Sequence, residues 1–114
     1  MVLVSHNIVA CIDENMPASL SAPMHQILRG ELGFKGVIIT DDLVMGAIKQ
    51  YTGTTSPAAV AISAGNDMIC TSDFNSHYQQ LLAAVNSGEV SMQRINESLY
   101  RVLTLKDQLG LLQQ

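Results

Sequence analysis

Two adjacent carboxylates, Asp41 and Asp42, follow directly on the run Val37-Ile38-Ile39-Thr40. A carboxylate just past an interior strand can attack an electrophilic carbon or take up a proton. The same position suits a quieter role, because aspartate between a strand and a helix is a good N-cap whose charge complements the helix dipole. Two other apolar stretches end in polar residues. Ser5-His6-Asn7 follows Val2-Leu3-Val4, and Thr71-Ser72-Asp73 follows Asp67-Met68-Ile69-Cys70. His6 can line a pocket on that side or make a structural hydrogen bond. His25 and His77 fall within helical stretches and are expected on the surface. Asp73 reads as a cap, and Asp13-Glu14 as a solvated turn.

The elements that would position these groups alternate between strand and helix. Val2-Leu3-Val4 is a first strand, followed by a long loop from about Ile8 to Ser19. A helix starts near Ser21 with Pro23 in its first turn, where a missing N–H is harmless. Leu20, Met24, Ile27, Leu28 and Leu32 give it an apolar stripe, and Gly33 ends it. Gly36 to Thr40 is the second strand. Its consecutive β-branched residues predict burial on both faces, as in a parallel sheet covered by helices. A short helix follows over Leu43 to Lys49. Another, Ala58 to Ala64, is capped by Ser56, opened by Pro57 and stopped by Gly65. Asp67 to Cys70 is a third strand with Cys70 buried. After it comes a helix carrying Phe74, Tyr78, Leu81, Leu82 and Val85 on one face, closed by Ser87-Gly88. A last helix begins near Ser91, lined by Ile95, Leu99, Val102 and Leu103, and ends at Gly110. This order predicts right-handed βαβ units, with all three polar strand ends on one side of a parallel sheet.

Composition narrows the partners. At 114 residues the chain is one domain, residues 1–114, and less than half of the roughly 250 residues that a complete (β/α)₈ barrel needs. Charged residues make up 14%, below the usual ~25%, which hints that another chain covers some apolar surface. A net charge of −4 with six scattered Lys and Arg argues against nucleic acid. No apolar run is long enough to span a membrane, and no secretory leader is apparent. Cys11 and Cys70 lack metal-ligand spacing, so no cofactor or metal is expected, and reduced thiols in the cytoplasm are the plain reading.

The segment Lys35-Gly36-Val37-Ile38-Ile39-Thr40-Asp41-Asp42-Leu43-Val44-Met45-Gly46-Ala47-Ile48 resembles the nucleophile motif of family-3 glycoside hydrolases. Leu3-Val4-Ser5-His6, Pro17-Ala18-Ser19-Leu20-Ser21, Glu31-Leu32-Gly33-Phe34 and Ala64-Gly65-Asn66-Asp67-Met68-Ile69 resemble the family's flanking segments, in its β-N-acetylhexosaminidase-like branch. The resemblance implies an α/β fold that is a partial (β/α)₈ TIM-type barrel. It would have three parallel βα units plus a C-terminal helix, and would form the C-terminal part of that barrel. It also implies a retaining hydrolysis of terminal β-linked N-acetylhexosamine or β-glucoside. Asp41 matches the nucleophile, Asp42 a position given to local hydrogen bonding, and Met45 the motif's methionine, beside the sugar or in the core. His6 would be a sugar contact. The family's general acid, and its Lys-His sugar-binding motif, are not found among these residues, so the isolated chain is expected to be weak or inactive.

A three-stranded piece would leave two unpaired sheet edges. A homo-oligomer or a complementing barrel half is therefore expected, with carbohydrate as the small-molecule partner. Two rival readings remain. One is a non-enzymatic half-barrel module. The other is a flavodoxin-like domain with an acidic pocket at Asp41-Asp42, disfavoured because no basic residue ends another strand.

Overall fold

The computed structural model describes residues 1–44 and 46–112 of the chain. Its centre is a parallel pair of strands, β1 (Val2–Val4) and β2 (Ile38–Thr40), in the register Val2–Ile38, Leu3–Ile39, Val4–Thr40. The expected third strand runs beside β2 but joins it through a single parallel bridge, Ile39 with Met68. Side chains cut this ladder short. The Asp67 carboxylate accepts the Ile38 N–H at 3.0 Å, and the Thr40 hydroxyl oxygen accepts the Cys70 N–H at 3.2 Å. Cys70, expected inside, is exposed as the segment peels away.

The crossover from β1 to β2 begins with a 3₁₀ turn at Ala18–Leu20 and helix α1 (Ala22–Gln26). Ser21 caps α1 by accepting the Met24 N–H at 3.2 Å, and its own hydroxyl donates to Asp13 at 2.8 Å. Asp13 also accepts the Asn15 and Met16 N–H groups, so it organises the loop and is more than the solvated turn its sequence suggested. Past Gln26 the helix widens into a π-helical turn, Ile27–Glu31, which ends before Gly33 at φ 65°. Leu32, counted in the apolar stripe, is 70% exposed in consequence.

Val4, Ala18 and Ile38 are buried together, with Val2, Met24, Leu28 and Phe34 packed around them. Burying each such aliphatic side chain contributes on the order of 1.5–3 kcal/mol. This is the helix-covered face of the sheet. By strand alternation Leu3, Ile39 and Met68 share the other face. Ile39 is only half-buried there and Leu3 is 59% exposed. The helices cover one side only, so the expected burial of β2 on both faces is not met.

After β2 come a 3₁₀ turn (Gly46–Ile48), α2 (Lys49–Thr52), α3 (Pro57–Ala64), α4 (Phe74–Asn86) and α5 (Met92–Gln108). The structural hub is α3, capped by the Ser56 hydroxyl on the Ala59 N–H. Its small residues let two clusters close on it. Ala61 packs with Leu20, Leu43 and Ile48, while Ala59 and Ile62 pack with Ala84 and Val90, and Ile69 touches both clusters. Gly65 ends α3 at φ 128°, and a Cβ there would stand 2.9 Å from the Cβ of His25. Both the backbone and the space require glycine.

The two long helices turn other faces inward than their apolar residues suggested. In α4, Leu81, Ala84 and Val85 face the core, whereas Phe74 and Tyr78 are exposed and stacked on each other at 5.6 Å. In α5, Leu99 and Leu103 are largely exposed and Ser98 is buried. The reason lies in a polar cluster described below.

Candidate active site

Asp41 leaves the end of β2 with its N–H bonded to the Val4 carbonyl at 3.1 Å, so the sheet pairing reaches as far as this residue. Alternation puts it on the same side as Ile39 and Leu3, the uncovered face. It is half-buried, and its Oδ1 accepts the Asp42 N–H at 2.8 Å. Asp42 is held more fully. Its Oδ1 accepts the Val44 N–H at 2.9 Å and the Ser72 N–H at 3.2 Å, tying the end of β2 to the end of the third segment. The Val44 N–H foremost, outweighing partial desolvation and helped by Ser72 and His77, holds the Asp42 carboxyl below the ordinary carboxylate range. Asp42 thus has the local hydrogen-bonding role expected of it.

His6 spans the gap between β1 and this turn. Its Nε2 lies 2.8 Å from the Asp42 carbonyl oxygen, which can only accept, so Nε2 carries the hydrogen. Its Nδ1 lies 2.6 Å from the hydroxyl of Ser19. Of the two roles open to His6, the geometry shows the structural hydrogen bonds, with both ring nitrogens engaged. Met45 lies outside the described residues. At the third strand end Asp73 caps α4 through the Ser76 N–H at 3.3 Å.

The other two histidines are not surface residues. His77 is buried and its Nδ1 is hydrogen-bonded to the Thr71 hydroxyl at 2.6 Å, which fixes the loop entering α4. His25 is 3% exposed and donates from Nδ1 to the Ser21 carbonyl at 2.7 Å, with Nε2 3.1 Å from Asn66 Oδ1. Asn66 in turn donates to the carbonyls of Ser19 and Ala61. Periodicity hid both histidines, because a polar residue inside a helix is ordinarily solvated.

At the opposite end of β2 is the strongest charge cluster among the described residues. The Asp67 side chain is fully buried and bonded to Arg29 at 2.5 Å, Arg101 at 2.8 Å and Ser98 at 2.8 Å, with Arg94 3.9 Å away. Arg94 also donates to the carbonyls of Ile62 and Asn66, and Arg29 to those of Phe34 and Gly36. Burial works against the Asp67 charge, but the Ile38 N–H, Ser98 and Arg101 overcome it and hold the carboxyl below its ordinary value. Arg94, Ser98 and Arg101, spaced four and three apart, share one face of α5. That polar stripe docks α5, which explains why Leu99 and Leu103 remain outside. A cleft of about 910 Å³ beside this cluster, lined by Arg29, Phe34, Lys35, Glu97, Tyr100 and Arg101, lies far from the polar strand ends.

The sequence of residues 1–105 matches the model of the glycosyl hydrolase family 3 N terminal domain. An uncharacterized secreted glycosyl hydrolase of Arthroderma benhamiae is 30% identical over 96% of this chain and 33% of its own length. A beta-hexosaminidase of Nitrosomonas eutropha is 40% identical over 60% of this chain and 20% of its own. A family 3 beta-N-acetylglucosaminidase from Paenibacillus sp. str. FPU-7 superposes with a TM-score of 0.75 at 39% identity, over 86% of this chain and 20% of that one. The chain belongs to glycosyl hydrolase family 3, with relatives of the hexosaminidase type. It spans a third or less of the length of these relatives. The matching domain is the family's N-terminal one, which corrects the assignment to a C-terminal part of the barrel. The α/β fold with a small parallel sheet and flanking helices is like that of this domain.

Proposed function

We propose that this chain carries the nucleophile of a retaining glycosidase, and that Asp41 is that nucleophile. The substrate class is a terminal β-linked N-acetylhexosamine, or a β-glucoside. One observation carries the reading. Asp41 continues the strand pairing onto the uncovered face of the sheet, and among the described residues its carboxylate has a single hydrogen bond. The sequence around it supports the same role. In the reaction a carboxylate oxygen attacks the anomeric carbon while the bond to the leaving oxygen breaks and that oxygen takes up a proton. Water then cleaves the glycosyl ester. His6 contributes to the sugar side through the turn that it holds.

The proton donor comes from outside this chain, and so do the elements that cover Leu3, Ile39 and Met68. The chain works as a partial (β/α)₈ barrel completed by further barrel segments or by a second copy, and is weak or inactive alone. General acid–base help is worth roughly 10²–10⁴ in rate, so its absence slows turnover more than it slows attack on a reagent whose leaving group needs no proton.

An activated fluoroglycoside of N-acetylglucosamine, followed by intact-mass and peptide analysis, tests this. A single glycosyl adduct on Asp41, absent from Asp41→Asn, is expected. An adduct on another residue, or no adduct at any reagent concentration, overturns it.

A further inference from the structure

From the hydrogen bonds around the end of β2, we infer that Ser19 and His6 form a positioning relay that aims the Asp41 carboxylate, an inference that rests on Asp41 being the nucleophile. The relay runs through three hydrogen bonds. The Ser19 hydroxyl donates to His6 Nδ1 at 2.6 Å, and His6 Nε2 donates to the Asp42 carbonyl at 2.8 Å. The backbone of Asp42 is thereby fixed, and its N–H donates to Asp41 Oδ1 at 2.8 Å. Among the described residues Asp41 Oδ2 has no hydrogen-bond partner. One carboxylate oxygen is held and the other is left to react.

The origin of the relay is rigid. Ser19 is fully buried, its N–H donates to the Ser5 carbonyl at 3.0 Å, and its carbonyl accepts from Asn66 at 2.7 Å. The far end is less constrained. Asp41 is followed by a turn, and the bond to Val4 fixes only its N–H. A carboxylate at a turn needs a second restraint to keep one oxygen in line with an anomeric carbon, and errors near 1 Å in such alignment can cost about a hundredfold in rate. His6 supplies that restraint without touching the sugar, since both of its nitrogens are already engaged. A neutral imidazole suits the task because it accepts on one side and donates on the other.

The test measures the rate of Asp41 labelling by the same activated fluoroglycoside, across reagent concentration. His6→Leu removes both hydrogen bonds. Its maximal labelling rate should fall roughly tenfold to a hundredfold while the half-saturating concentration changes little. His6→Gln places an amide N–H within reach of the Asp42 carbonyl and should recover part of the rate, whereas the shorter His6→Asn should not. Ser19→Ala should slow labelling less than His6→Leu. Amide exchange gives a second reading, in which the Asp42 N–H should lose protection in His6→Leu while the Ile38 N–H keeps it.

Wild-type labelling rates in folded His6→Leu overturn the relay alone. If His6→Leu does not fold, the Gln and Asn variants decide, and equal rates for the two overturn it. Failure of the wild type to label at Asp41 overturns the nucleophile reading and the relay together.

Discussion

Asp67 and Asp41 stand at the two ends of the same strand and are treated in opposite ways. Between them lies β2, three residues or about 10 Å of chain. Asp67 is sealed from water and saturated by two bonded arginines, a serine and a backbone N–H, with a third arginine close by. Asp41 is half-exposed and has one backbone N–H. A carboxylate with all its lone pairs engaged holds structure together and has nothing left to offer a substrate. One left underbonded at a strand end adds little to stability and keeps its reactivity. If Asp41 is the nucleophile proposed above, the contrast is that between an architectural acid and a chemical one.

The comparison can be broken most directly by neutralising each acid. Asp67→Asn should cost roughly 3–5 kcal/mol in urea unfolding, because it leaves guanidinium charge unpaired against a buried side chain. Asp41→Asn should change stability by no more than about 0.5 kcal/mol. Comparable losses in the two variants would erase the distinction.

Acid provides the next largest effect. Because the folded-state value of Asp67 is depressed, its contribution is fully present above the unfolded value of about 3.9 and is lost as pH falls through the folded value. The urea midpoint of the wild type should therefore drop below about pH 4 more steeply than that of Asp67→Asn. Asp13 and Asp42 are also held low, by the Ser21 hydroxyl and the Val44 N–H respectively, and they keep a shallower acid limb in the variant.

A smaller effect sharpens the picture of α5. Ser98→Ala removes a bond to Asp67 and should cost about 1 kcal/mol. Leu99→Gln, one residue along on the exposed side, should change stability by less than about 0.5 kcal/mol. If the leucine matters more than the serine, the helix docks through its apolar side and the polar stripe is incidental.

The sequence made the alternation of elements legible, along with β1, β2, the caps at Ser56 and Asp73 and the helix starts near Ser21 and Ser91, because each rests on local chemistry: β-branched runs, and hydroxyl or carboxylate side chains before helices. The local role of Asp42 was legible for the same reason. Long-range polar pairing was not. Nothing near Asp67 says that Arg29 will meet it, and an apolar stripe on α5 outweighed the quieter spacing of Arg94, Ser98 and Arg101. The same limit hid His25 and His77, whose partners Asn66 and Thr71 are supplied by tertiary contact. Burial of β2 on both faces was expected from its unalternating β-branched run, whereas coverage depends on which elements lie nearby.

The junction at Asp67 also bears on the order in which the molecule assembles. It unites Arg29, 38 positions earlier, with Arg101, 34 positions later, so two long spans must close before the salt bridges exist. Such contacts form after the rate-limiting step when the local helices lead. Replacing Asp67 should then leave refolding speed nearly unchanged and hasten unfolding, so that the junction acts as a latch on an already built molecule.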